Sequence, residues 1–152
     1  MKPVCLVLGA GAREHSIAWQ LAKSPNNPMI FSLPGNSGTS QLGTNISGDM
    51  TDPCFVYSVV QSFMIDLVII GPESPLVAGV SDHLRSKGVK VFGPSKAAAQ
   101  IESSTSFAKN LMVTSGVPTA RFEVFSDGKS ARHFIKLKKK PIVITSDGLD
   151  QA

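Results

Sequence analysis

Residues 4–21 read VCLVLGAGAREHSIAWQL, and the fold follows from them. Val4-Cys5-Leu6-Val7-Leu8 is a continuous apolar run with no polar alternation, the pattern of a strand covered on both faces. Gly9-Ala10-Gly11-Ala12 breaks the run with residues small enough for a tight turn. Arg13-Glu14-His15 then open a helix whose apolar positions Ile17, Ala18, Leu21 and Ala22 recur at helical spacing. Strand, glycine turn and helix together aim backbone N–H groups and the positive end of a helix at an anion.

A dinucleotide fingerprint is one reading of this turn, and with it a small NAD-dependent oxidoreductase. That fingerprint needs glycines at 9, 11 and 14, and an acid after the second strand for the ribose hydroxyl. Position 14 is Glu14, and the second strand runs into Leu33-Pro34-Gly35 with no acid. Arg13 favours a different ligand, because a guanidinium beside a glycine turn and a helix start suits a phosphate monoester.

The 152 residues suffice for one sizeable domain or one plus a fragment. The hydrophobic share of 42% is that of an ordinary globular protein. The net charge of +4 invites nucleic acid as a partner. Much of the excess, however, sits in Lys136, Lys138, Lys139 and Lys140, which read as a solvated helix end, and no aromatic residues interleave with them. Nucleic acid is therefore not expected as a partner. Cys5 and Cys54 are too few and too far apart for a disulfide framework or a zinc site. No apolar run is long enough to span a bilayer, and a glycine turn at Gly9 interrupts any signal-peptide layout. A cytoplasmic location without membrane contact is expected.

Residues 29–33 read as a second strand, followed by the polar glycine loop Pro34-Gly35-Asn36-Ser37-Gly38-Thr39. Residues 41–52 carry no clear pattern. Thr51-Asp52-Pro53 reads as a helix start, with Phe55, Val56, Val59, Val60 and Phe63 inward over 54–63. Residues 66–70 form another apolar strand, ending in Gly71-Pro72-Glu73-Ser74-Pro75-Leu76. One helix then runs to about Lys87 with Leu76, Val80 and Leu84 inward, and residues 89–92 form a fourth strand closed by Gly93-Pro94-Ser95. A short helix covers 96–101. The alternation predicts an α/β fold with an open, mostly parallel sheet and helices on both faces, a Rossmann-like domain over 1–102. Its four glycine-containing loops gather on one sheet edge, where ligands of such sheets bind. Residues 103–117 read as a linker helix stopped by Gly116. The remainder, 118–152, reads as an incomplete α+β piece with strands at 120–125 and 141–144 and a helix at 129–138.

Seven motifs in order carry a resemblance. They are Gly9-Ala10-Gly11-Ala12-Arg13-Glu14-His15, the loops beginning at Pro34, Gly71 and Phe92, then Glu102-Ser103-Ser104, Phe107-Ala108-Lys109 and Gly116-Val117-Pro118-Thr119-Ala120. Together they resemble the phosphoribosylamine–glycine ligase family, ATP-grasp enzymes of purine biosynthesis, with 1–102 similar to its N-terminal domain and the tail to the start of its ATP-grasp region. The resemblance implies a reaction in which ATP phosphorylates the glycine carboxylate and the amine of 5-phosphoribosylamine attacks the acyl phosphate. It further implies that Gly9, Gly11, Ala12 and Arg13 hold the ribose 5-phosphate. Pro34, Gly35, Asn36, Gly71, Pro72 and Glu73 would border the sugar or the glycine, with Glu73 facing an amine or hydroxyl. Glu14 and His15 are expected to serve the helix terminus or tie the loop to a neighbour.

Some positions depart from the family pattern. Thr105 and Thr145 stand where the family has lysines expected to contact the nucleotide, and threonine has neither the charge nor the reach to replace them. Ala12 stands where the family has glycine, and Ala152 where the first glycine of a Gly-Lys-Gly loop belongs. ATP and magnesium are thus implied for the family, and neither is expected to be held by this chain alone. Two readings follow beside the oxidoreductase. One is a substrate domain that binds a phosphoribosyl small molecule without catalysing ligation alone. The other is a non-catalytic protein that meets a partner chain through the tail after Pro118.

Overall fold

A computed structural model describes residues 2–138 and 140–148, in two compact units, Met1–Ala99 and Gln100–Ala152. Lys139 and Ala152, both used in the sequence reading, lie outside the described residues.

The first unit is built on a five-stranded parallel sheet of β1 (Val4–Gly9), β2 (Met29–Pro34), β3 (Thr44–Asn45), β4 (Leu67–Ile70) and β5 (Lys90–Phe92), in the order β3-β2-β1-β4-β5. β1 is central and pairs in register with both neighbours: Leu6 lies beside Phe31 and Val68, and Leu8 beside Leu33 and Ile70. These side chains form one face. The main core builds there, with Val56, Val59 and Val60 of α2 (Pro53–Ser62), Leu76 of α3 (Glu73–Ala78), and Val80 and Leu84 of α4 (Val80–Ser86). The alternate residues Cys5, Val7, Ile30 and Ile69 are also buried, and α1 (Ala12–Ala22), with its buried Ala18, packs along β1 and β2. Coverage of both faces explains the unbroken apolar runs. Leu6, Val7 and Leu8 are wholly buried, and each contributes about 1.5–3 kcal/mol relative to exposure.

α2 starts where Asp52 accepts from Cys54 N–H and Phe55 N–H at 2.9 and 3.2 Å, with Pro53 in the first turn. The single helix expected from Leu76 to Lys87 is two. Gly79, at φ +92°, ends α3 and begins α4, while Leu76, Val80 and Leu84 still share the core. β3 is a short edge strand within the stretch that carries no sequence pattern.

The second unit holds the second half of α5 (Lys96–Ser103), with α6 (Thr105–Thr114) and α7 (Gly128–Lys138). Ser104 Oγ accepts from Phe107 N–H at 3.1 Å at the start of α6, and Gly116 at φ +69° follows its end. The strands expected at 120–125 and 141–144 are absent among the described residues. Their β-prone composition finds no ladder partner, and strands in isolation do not hold. Val124, Val143 and Ile144 are accordingly exposed.

Candidate functional site

The strand order reverses its direction of growth between β1 and β4: β2 lies on one side of β1 and β4 on the other. Loops leaving the carboxyl ends of two such strands diverge and leave a crevice, the usual ligand position in open α/β sheets. The loops after β1, β2 and β4 meet there, stitched by their backbones. Gly35 N–H donates to Gly9 O at 3.1 Å, and Gly71 N–H donates to Leu8 O at 3.3 Å.

Three consecutive residues of α1 reach three different loops. Arg13 donates from one guanidinium nitrogen to Gly71 O at 2.6 Å and to Glu73 Oε1 at 3.1 Å. Its side chain stays 63% exposed, so the charge borders the crevice instead of being consumed in the interior. Glu14 turns inward and is 4% exposed. Its Oε2 accepts from Gly11 N–H at 2.7 Å. A Cβ on Gly9 would stand 2.6 Å from Glu14 Cγ, and one on Gly11 2.8 Å from Oε2. A Cβ on Gly71 would stand 2.7 Å from Cδ. The three glycines therefore make room for one carboxylate side chain. His15 packs on Gly38, where a Cβ would lie 2.6 Å from Nδ1.

The β2 loop is built around Asn36. Its Nδ2 donates to Ala10 O and Gly11 O at 2.8 and 3.3 Å, joining this loop to the first turn. Its Oδ1 accepts from Gly38 N–H and Thr39 N–H. Thr39 is fully buried, and its hydroxyl lies 2.7 Å from Asn36 N and 2.8 Å from Asn45 Oδ1. Asn45 Nδ2 donates to Asn36 O at 2.8 Å. Gly35, at φ +73°, provides the left-handed backbone that follows the cis Leu33–Pro34 peptide. Thr39 was read only as the end of the polar loop, and Asn45 escaped the sequence reading because a single polar residue in an unpatterned stretch gives no periodic signal.

The structure thus brings Gly9, Gly11, Ala12, Arg13, Pro34, Gly35, Asn36, Gly71, Pro72 and Glu73 to one sheet edge. Within the turn the Gly11 amide is bonded internally, as are those of Gly35 and Gly71 in the neighbouring loops, so the backbone N–H groups expected to be aimed at an anion do not include that of Gly11. The N–H groups in the first turn of α1 have no intrahelical acceptor, and they give that end of the helix its positive pole. Glu73 titrates below the ordinary carboxylate range: its own backbone N–H holds the charged form, and Arg13 adds to it.

Thr105 and Thr145 lie in the second unit, both exposed, Thr105 in the first turn of α6. Asp147 accepts from Ser106 N–H at 3.1 Å and from the hydroxyls of Ser104 and Ser106, so the segment carrying Thr145 is tied to the start of α6. These hydrogen bonds, led by the Ser106 hydroxyl, hold the Asp147 carboxyl below its usual range.

The family described as phosphoribosylglycinamide synthetase, N domain, matches residues 4–102, and its ATP-grasp (A) domain matches residues 103–152. The chain belongs to the phosphoribosylglycinamide synthetase family. It is 43% identical over 144 residues to the phosphoribosylamine–glycine ligase of Agrobacterium fabrum, covering 95% of this chain and 34% of that protein. It is 42% identical over 146 residues to the ligase of Escherichia coli O157:H7, again with 34% of that protein covered. The crystal structure of the Thermotoga maritima phosphoribosylamine–glycine ligase superposes with a TM-score of 0.71 at 32% identity, over 96% of this chain and 33% of that one. The N5-carboxyaminoimidazole ribonucleotide synthetase of Thermus thermophilus shares the fold, with a TM-score of 0.67 at 19% identity over 88% of this chain and 36% of that one. The chain spans about a third of the length of the synthetases it matches. All the crevice residues fall within the N-domain match, and Thr105 and Thr145 within the ATP-grasp match.

Proposed function

We propose that the first unit binds the phosphoribosyl group of a small sugar phosphate, as the substrate-side part of a ligase that joins glycine to 5-phosphoribosylamine at the expense of ATP. The observation that carries this reading is Arg13: an exposed guanidinium beside the opening turn of α1, at the crevice between β1 and β4. A phosphate monoester there gains charge-assisted hydrogen bonds and the positive helix end together. Glu73, already ion-paired to Arg13, stands where it can take an amine or hydroxyl of the sugar once the phosphate engages the guanidinium. Pro34, Gly35 and Asn36 wall the sugar on the β2 side. Glu14, Asn36 and Thr39 hold the three loops in fixed relation, so that little ordering remains on binding.

The residues around α6 do not fit a nucleotide with magnesium. Threonines occupy 105 and 145, and the carboxylate of Asp147 already sits at the start of α6. Among the described residues no three His, Cys, Asp or Glu side chains lie together to hold a metal. ATP and magnesium belong to the complete ligase reaction, and this reading assigns them no site on these residues. Two free cysteines agree with a cytoplasmic setting, and no helix among the described residues is long and apolar enough to cross a membrane. The exposed Val124, Leu137, Val143 and Ile144 support a second reading, in which residues 118–148 meet a partner chain.

Calorimetric titration with ribose 5-phosphate tests the first reading. Saturable binding is expected, weakened about tenfold or more by Arg13→Ala, as loss of a charge-assisted contact requires. Absence of binding to the unaltered chain would end it.

A further inference from the structure

We infer that Glu14 restricts the crevice to a single phosphate, acting as a built-in anion that occupies the place of the second phosphate of a diphosphate ligand. The inference rests on the phosphoribosyl reading and adds a specificity-determining residue to it.

The turn after β1 carries the first two glycines of a dinucleotide site, Gly9 and Gly11. In such a site the second glycine lets the backbone approach the pyrophosphate, and the third lets helix and strand pack closely. Here the third position is Glu14, and its side chain has not turned to solvent. It is buried between the loops after β1 and β4, with its carboxylate on Gly11 N–H at 2.7 Å. The bare faces of Gly9, Gly11 and Gly71 all abut it. The amide a pyrophosphate would need is therefore satisfied from within, and the approach to it presents negative charge.

Phosphate binding is left with the outer part of the turn, the first-turn amides of α1 and Arg13. A monoester dianion placed there does not need the Gly11 amide that the carboxylate holds. A diphosphate must place its second phosphate against Glu14, where repulsion and the occupied amide both oppose it. Arg13 offers no second cation to compensate, since one guanidinium nitrogen already serves Gly71 O and Glu73.

The test compares ribose 5-phosphate with ADP-ribose, which presents the same sugar phosphate as a diphosphate ester. Both are titrated into the full chain, Glu14→Ala and Glu14→Gln, with Trp19 fluorescence reporting that each variant is folded. The unaltered chain is expected to prefer ribose 5-phosphate by at least about tenfold, and Glu14→Ala to narrow that preference about tenfold by freeing the Gly11 amide. Glu14→Gln, which keeps the volume and drops the charge, should narrow it by less. An unchanged preference in both variants overturns the inference, as does an unaltered chain that prefers ADP-ribose.

Should the unaltered chain bind neither ligand, the phosphoribosyl reading fails. The inference then stands only if ADP-ribose binding emerges in Glu14→Ala, and falls otherwise. Amide NMR of the unaltered chain decides the matter if the variants do not fold. Ribose 5-phosphate should move the Ala12 and Arg13 resonances and leave Gly11 in place, whereas a Gly11 shift as large as theirs overturns the inference.

Discussion

Gly71→Ala asks whether Glu14 locks the β1 and β4 loops together. A methyl on Gly71 would stand 2.7 Å from both Glu14 Cγ and Cδ, and nearer still to Oε1. Gly71 does not sit at positive φ, so its backbone accepts alanine and the cost is steric. Glu14 is 4% exposed and has no solvent to swing into. Relief requires the carboxylate to leave Gly11 N–H, or the β4 loop to draw away from α1 and from the 2.6 Å bond to Arg13. Overpacking costs about 1–3 kcal/mol, and a lost buried hydrogen bond about 1–3 kcal/mol. A total near ~3 kcal/mol is expected from those two effects, read as a lower urea midpoint by the fluorescence of Trp19, the only tryptophan of the chain and a residue of α1. In a Glu14→Ala background the methyl has room, and the cost should fall below about 1 kcal/mol, a coupling of about 2 kcal/mol. Equal costs in the two backgrounds would refute the wedge. Gly9→Ala is a poorer probe, because φ +121° strains alanine whatever Glu14 does.

Two further outcomes follow from the same geometry. Asp52→Ala removes the side-chain acceptor for Cys54 and Phe55 N–H at the start of α2 and should lower stability by about 1 kcal/mol, measured by the same unfolding curves; no change would mean that water caps the helix equally well. Glu73 has its folded-state pKa depressed, first by its own N–H and then by Arg13, so its stabilising contribution is present above the unfolded pKa and is lost as pH falls through the folded value. The stability difference between the unaltered chain and Glu73→Gln should therefore be largest near neutrality and shrink below about pH 4.3; a difference independent of pH would show that the carboxylate charge contributes nothing.

The three inner strands β1, β2 and β4 were legible because they are largely buried on both faces, and short unbroken apolar runs such as Leu6-Val7-Leu8 and Val68-Ile69-Ile70, each closed by a glycine turn, suit a two-sided strand far better than a helix. The helix start at Asp52 was legible for an equally local reason. The break at Gly79 was hidden because Leu76, Val80 and Leu84 keep helical spacing straight through it, and periodicity registers which face is buried, not whether the backbone is continuous. β3 was hidden because two edge residues, Thr44 and Asn45, carry no alternation. The expected strands at 120–125 and 141–144 show the opposite failure: composition permits a strand, but pairing creates one.

At the candidate site, the sequence located the loops but left open what the glycines were for. A glycine between strand and helix is ordinarily taken as leaving space for a ligand. At 9, 11 and 71 the space is filled by Glu14, a residue of the chain itself. The difference cannot be read from Gly9 and Gly11 alone, because both arrangements require a bare backbone there. It is decided by whether the side chain at position 14 turns inward, and that depends on Gly71, which sits far along the chain on the neighbouring strand's loop and shows no motif linking it to Glu14. Once the two are seen in contact, the residue that spoils the dinucleotide pattern and the glycine that opens the β4 loop become one structural feature. That feature fixes the crevice walls around Arg13.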